Sequence, residues 1–347
     1  MKTWVFLLFL FSTVFAGLPC DVLVYVQDAG ETNGLIPFIE RLQKEGRSYQ
    51  VMGGGVSKKI LGERGIPFTP IDAPLNRKER VDDAGLAAIA ELFSPSIFVS
   101  GVAFELEGQL YAEFGKRGVR TFAFWDNFNS GGSDPYFETA RKVVSRASVA
   151  FVPSDSVRAA VGKDARVVGQ PTLEEWIEKA RQVDVAQLRR QLGWNRRTIL
   201  WIGGYGAEYE EAFSLFLDSV KGVDGWDVAI QPHPKFGGEI ERKILEARGE
   251  KRSLLTGVGT IDAVAAADRV VCYRSTVGFQ ALFIHKPVIY ANPRNESYDP
   301  PLAAVFATPD EFLEKVNDRI RIESDPFASL GIPQHAVEAI WSNIFEE

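Results

Sequence analysis

The segment Tyr273-Arg274-Ser275-Thr276-Val277-Gly278 is where this sequence concentrates the means to hold an anion. An apolar run from Arg269 to Tyr273 leads into it, and a helix-forming stretch from Phe279 to Phe283 follows. Ser275 or Thr276 then falls at the N-cap. Its hydroxyl and the unpaired N–H groups of the first turn point the same way, at the positive end of the helix dipole. Such an end suits a phosphate, and Arg274 adds a charged donor. Serine and threonine are also the ordinary capping residues, so plain capping accounts for them too.

Further groups stand at predicted strand ends. Pro232-His233-Pro234-Lys235 follows a strand, and its prolines hold His233 extended. A histidine at the carboxyl end of a strand faces the ligand crevice of an open α/β sheet, where it could bond a sugar hydroxyl or a phosphate oxygen. The alternative is a loop histidine satisfied by backbone. Ile202-Gly203-Gly204-Tyr205-Gly206 is a turn whose Gly203 and Gly204 let backbone N–H groups approach a ligand, or simply make the turn tight. No GxxxxGK followed by Ser or Thr occurs, which argues against a P-loop nucleoside triphosphatase, and no complete GxGxxG follows the first strand either.

Carboxylates available as a general base are Asp28 and Glu31 in the first loop and Asp126 in Trp125-Asp126-Asn127-Phe128, with nothing to rank them. Asp28 and Asn33 also suit helix capping. The aromatic residues beside Asp126 suit a carbohydrate platform or a plug at a domain interface. Three histidines and two cysteines, none at metal-ligand spacing, exclude a metal centre and a disulfide framework. Cys272 reads as a buried strand thiol. A net charge of −7 gives no basic face for a nucleic acid. His285 and His335 attract no role.

The elements that must position these groups alternate strand and helix, which implies parallel sheets. Short apolar runs at Asp21–Val26, Tyr49–Met52, Ile66–Ile71, Ser96–Ser100, Val119–Phe124 and Ser148–Val152 make a first set. Thr198–Ile202, Trp226–Ile230, Ser253–Leu255, Arg269–Tyr273 and Pro287–Tyr290 make a second. Arg166–Pro171 reads as the exit from the first set. The 347 residues, 46% of them hydrophobic, suit two domains, expected at 17–172 and 173–347. Residues 1–16 resemble a secretory signal or anchor, with Lys2, an apolar run and small-residue cleavage after Ala16, and the run is shorter than the ~20 residues of a membrane span. A real signal makes the chain secreted, periplasmic or membrane-anchored; otherwise it is cytoplasmic.

In these pieces and their order the chain resembles the GT-B superfamily of glycosyltransferases and the UDP-N-acetylglucosamine 2-epimerases. The resemblance rests on Asp28-Ala29-Gly30 with Asn33, Trp125 to Phe128, Val168 to Pro171, Gln231 to Lys235 and Tyr273 to Gly278. It implies two doubly wound Rossmann-like α/β domains facing across a cleft. The first would bind an acceptor, glycan or lipid-linked, and the second a nucleotide-sugar donor through Gly203, Gly204, His233, Arg274, Ser275, Thr276 and Gln280. Many relatives bond the ribose with glutamate where Gln280 stands. Epimerase signature loops are missing near the N-terminus, which disfavours epimerisation. The expected function is metal-independent glycosyl transfer with no cofactor beyond the sugar nucleotide. A nucleotide-sugar epimerase or hydrolase, and a non-catalytic nucleotide-sugar-binding protein, are the alternatives.

Overall fold

The structure is a computed structural model. It describes residues 17–128, 135–162, 164–206, 208–233, 236–296, 300, 302–318 and 325–346. The signal-like segment 1–16 lies outside them, as do Pro234 and Lys235.

The chain forms two compact units. One takes the described residues through Gln170 and those from His335 onward; the other is Pro171–Gln334. In the first unit, β1 (Leu18–Val26), β2 (Tyr49–Gly53), β3 (Thr69–Pro70), β4 (Phe93–Ser100), β5 (Arg120–Phe124), β6 (Val149–Val152) and β7 (Ala165–Val167) form one sheet in the order β3-β2-β1-β4-β5-β6-β7. Every pairing is parallel. The second unit holds β8 (Arg197–Ile202), β9 (Trp226–Gln231), β10 (Arg269–Cys272), β11 (Val288–Ala291) and β12 (Ala304–Phe306), ordered β12-β11-β10-β8-β9 and again parallel. Both are Rossmann-like α/β domains, as the strand–helix alternation predicts.

Burial explains the unbroken apolar strands. In β1, Leu23 and Tyr25 enter one core cluster while Val22, Val24 and Val26 enter another. A sheet covered on both faces needs apolar residues at consecutive positions. The predicted run Ile66–Ile71 shrinks to the two residues Thr69–Pro70 at the sheet edge. Pro67 and Pro70 donate no backbone hydrogen bond, which confines such a run to an edge. Ser253–Leu255 is not a strand but a single parallel bridge, Ile230 to Leu254. Arg166 and Val167, read as a domain exit, belong to the edge strand β7.

Strand order reverses between β1 and β4 in the first sheet, and between β10 and β8 in the second. At such a switch point neighbouring loops diverge and open a crevice at the carboxyl ends of the strands. The candidate residues stand on the loops leaving β1, β8 and β10 and the neighbouring strands β5 and β9.

The C-terminal helix Ala336–Phe345 corrects the expected domain limits, because it packs in the first unit and not with 173–347. Trp341 meets Phe38 edge-on at 6.5 Å, and the guanidinium of Arg41 lies over its ring at 5.2 Å. Arg120 donates to the Ile344 carbonyl (3.0 Å) and Arg166 to Asn343 (2.8 Å). Trp341→Ala is expected to cost about 3 kcal/mol through lost burial and the cavity left behind, read from urea unfolding midpoints.

Candidate functional site

The three carboxylates proposed as a base gather around the first turn of the helix Ala29–Lys44, which leaves β1. Glu31 is buried (1% exposed) and spent on the backbone: its Oε1 accepts from the amides of Gln27 and Asp28, the latter at 2.8 Å. This is the third residue of the helix reaching back to close its N-terminus. Asp28 is half-buried and pairs with Arg77 at 3.1 Å. Asp126 comes from the loop after β5 and presses on Gly30, where a Cβ would stand 1.8 Å from its Oδ2. Glu31 therefore leaves the set of bases that a substrate could reach, while Asp28 and Asp126 remain half-open.

A residue not singled out from sequence completes this cluster. Glu107, wholly buried, stands three residues into the helix Glu105–Lys116 that follows β4, and its Oε2 accepts from the Phe104 amide at 2.9 Å. Among the described residues the remaining oxygens, Glu31 Oε2 and Glu107 Oε1, are buried and find no hydrogen-bond partner. Two carboxyls buried side by side cannot both stay ionised, so the folded pair keeps a proton. Burial raises Glu31 to about 7 and Glu107 well above the carboxylate range, the latter also because Glu31 is beside it. Gly101 makes the room: a Cβ there would lie 1.5 Å from Glu31 Oε2. The tyrosines flanking the pair, Tyr25 and Tyr111, are held neutral by burial and by the two carboxyls.

Trp125 is not a carbohydrate platform. It is 1% exposed and stacks on Phe137 (6.2 Å, 14°) within the core, because the strand register turns it inward.

In the second unit a cavity of about 440 Å³ opens at the switch point. The loops after β8, β9 and β10 bring Gly203, Gly204, His233, Arg274, Ser275 and Thr276 to its lining. Gly203 is obligatory, since its N–H donates to the Gln231 carbonyl (2.7 Å) and a Cβ would meet the His233 nitrogen at 2.4 Å. Below it Trp201 donates to the Tyr209 hydroxyl (2.9 Å), which donates to buried Glu241. Arg274 turns the chain from strand to helix at φ 44°, a left-handed conformation costly for a non-glycine residue. Its guanidinium pairs with Glu296 at 2.7 Å.

The helix Thr276–Leu282 is short, and its donors are partly used. Ser275 Oγ accepts from Val277 N–H (3.2 Å), and the Ser275 carbonyl accepts from Gly278 N–H (3.1 Å). Ser275 thus acts as a cap, and the anion-holding capacity narrows to Thr276 and Arg274. Gln280 does not line the cavity; four residues along a helix carry it about 6 Å from Thr276. Sequence reading missed Tyr205, Gln231, Thr260, Tyr273 and Trp176, which do line it. Tyr205, Gln231 and Tyr273 stand inside the motifs read from sequence but were given no role there, a signal that could have found them. Among the described residues no group of three or more His, Cys, Asp or Glu could hold a metal, and no helix is long and apolar enough to cross a membrane. Cys272, under the cavity floor, is buried and pushed up to about 12 by that burial.

The carboxyl pair makes stability depend on pH with a definite sign. Both pKa values are raised on folding, so the stabilisation is complete below the unfolded value near 4.5 and is lost as pH rises through about 7 and beyond. The slope is about 1.4 kcal/mol per pH unit for each excess proton held by the folded state. Glu107→Gln, whose amide mimics the protonated carboxyl, is expected to lose less stability than the wild type between pH 6 and pH 9 in urea unfolding. Equal slopes in the two proteins would rule out the proton kept by the pair. Gly203→Ala should abolish the cavity's architecture, seen as a large drop in melting temperature.

No family model matches the chain, and no curated protein matches it in sequence. Among solved structures it is similar to UDP-GlcNAc 2-epimerase from Methanocaldococcus jannaschii, with a TM-score of 0.70 and 12% identity over 94% of this chain and 100% of that one. The same enzyme from Neisseria meningitidis, bound to UDP-GlcNAc, gives 0.67 and 10% over 94% and 100%. The Rickettsia bellii UDP-N-acetylglucosamine 2-epimerase gives 0.63 and 14% over 94% and 96%. The likeness is one of fold. It stands against the expectation of glycosyl transfer, since the proteins this chain is similar to are UDP-GlcNAc 2-epimerases.

Proposed function

We propose that this chain is a nucleotide-sugar enzyme of the epimerase kind, acting on the sugar nucleotide itself without a second substrate. The observation that carries the reading is the cavity of the second unit. There two glycine backbones, a histidine, an arginine and a threonine converge from three strand exits at a switch point. Glycines let amides approach a diphosphate, Arg274 supplies a cationic donor and His233 a ring N–H. The fold likeness to proteins solved with UDP-GlcNAc and UDP supports the same ligand class.

Inverting a sugar carbon requires a proton to be removed and one returned, so two acid–base groups are wanted. Asp28 and Asp126, half-open at one helix N-terminus of the first unit, fit that role, with Arg77 paired to Asp28 at 3.1 Å. Glu31 serves to position them: it fixes the Gln27–Asp28 backbone on which Asp28 sits.

Incubation with UDP-GlcNAc and no acceptor, followed by proton NMR, should show inversion at a sugar carbon. Thermal shift should show stabilisation by UDP and UDP-GlcNAc; no stabilisation by any nucleotide would sink the reading. Arg274→Ala is expected to weaken UDP binding about ten-fold to a hundred-fold, the range for losing a charge-assisted hydrogen bond. Asp28→Asn and Asp126→Asn should each lower turnover at least a hundred-fold while leaving UDP affinity within about two-fold.

A further inference from the structure

Tyr205 lines the cavity of the second unit and touches two other rings, yet it remains 56% exposed. His233 meets it edge-on at 5.0 Å with the planes 80° apart, and Phe236 lies 5.4 Å away. These two rings brace it from the protein side. Its backbone is steered by glycines on both flanks: a Cβ on Gly204 would press on the Tyr209 ring at 3.0 Å, and Gly206 holds φ 114°. An aromatic ring braced by its neighbours and open at a cavity mouth is the form of a stacking platform.

A second, independent observation comes from Gln231 in the same lining. It is 7% exposed, and among the described residues its buried Oε1 finds no hydrogen-bond partner. Its Nε2 donates to the Val258 carbonyl at 3.4 Å, which leaves the oxygen as the unused end of the amide. A buried acceptor without a donor is costly, so its retention at a cavity wall marks a place for a donor. The Gly203 amide, bonded to the Gln231 carbonyl at 2.7 Å, ties this residue to the turn that reaches Tyr205 two positions later.

We propose that Tyr205 and Gln231 form a ring-recognition subsite. Tyr205 stacks on the flat face of a ligand ring, and Gln231 Oε1 accepts an N–H or O–H from that ring's edge. The subsite rests on the reading of this cavity as a nucleotide-sugar site. A nucleobase and a pyranose both offer a flat face with donors at the edge, and the ligand series below separates them.

The test is calorimetric titration of the full chain with UMP, UDP and UDP-GlcNAc, comparing wild type with Tyr205→Phe, Tyr205→Ala and Gln231→Leu. Tyr205→Phe should bind within about two-fold of wild type, whereas Tyr205→Ala should lose roughly 5- to 100-fold. Gln231→Leu should weaken the same ligands as Tyr205→Ala. A loss already present with UMP identifies the base as the stacked ring; a loss confined to UDP-GlcNAc identifies the sugar. Unchanged affinity in Tyr205→Ala or Gln231→Leu, with the wild type binding, overturns the subsite and leaves the nucleotide-sugar reading standing. A wild-type chain that binds none of the three ligands overturns both.

Discussion

The buried carboxyls of Glu31 and Glu107 close the two helices that leave the central strands of the first sheet. Each accepts from the backbone at the N-terminus of its own helix, and burial side by side keeps a proton on the pair. Without it, two buried charges would face each other at the switch point, and the turn bearing Asp28 would lose its anchor. Gly101 and Gly30 are the steric terms of the same arrangement, since each leaves room for a carboxylate that any side chain would displace. The chemistry available at this edge is thus decided below the surface, by groups that no ligand touches.

The second unit solves the corresponding problem by backbone contact. β8 and β9 leave their sheet so close together that only glycine fits at 203, and the amide there is satisfied by the neighbouring strand's last carbonyl. The left-handed turn at Arg274 does the same work after β10 and does it with a cation in place of glycine. Strain kept at a non-glycine residue is tolerated where the side chain is needed. Together these turns hold donors at the rim of the cavity, and a relay of Trp201, Tyr209 and Glu241 packs behind Gly203 and Gly204.

The alternation of strands and helices was legible because fully buried strands must be apolar throughout, and that pattern is local. The motifs at Gly203, His233 and Ser275 were legible for a related reason: strand ends followed by glycine, proline or a capping residue mark where the chain turns. What was not legible depends on partners far apart in sequence. Glu107 looks like any acidic residue in a first helical turn, and only Glu31 from 76 positions earlier (107 minus 31) makes it special. Trp125 beside Asp126 suggested a sugar platform, but sheet register decides which of two neighbours points inward. β12, three residues long at a sheet edge, carries too little pattern to register. The reaction class was misread because the phosphate side of such a fold is shared among activities, and the sequence leaves the other side thinly marked.

The return of the C-terminal helix to the first unit has a consequence for how the molecule is made. The second unit, Pro171–Gln334, is an insert in the chain of the first, entered and left by single strands of polypeptide. During synthesis it can therefore close its own core while the first is still missing the surface that Trp341 and Ile344 supply to Phe38 and its neighbours. The first sheet, though made before the second unit, is finished after it, and until the helix Ala336–Phe345 arrives its helix Ala29–Lys44 presents an uncovered apolar face.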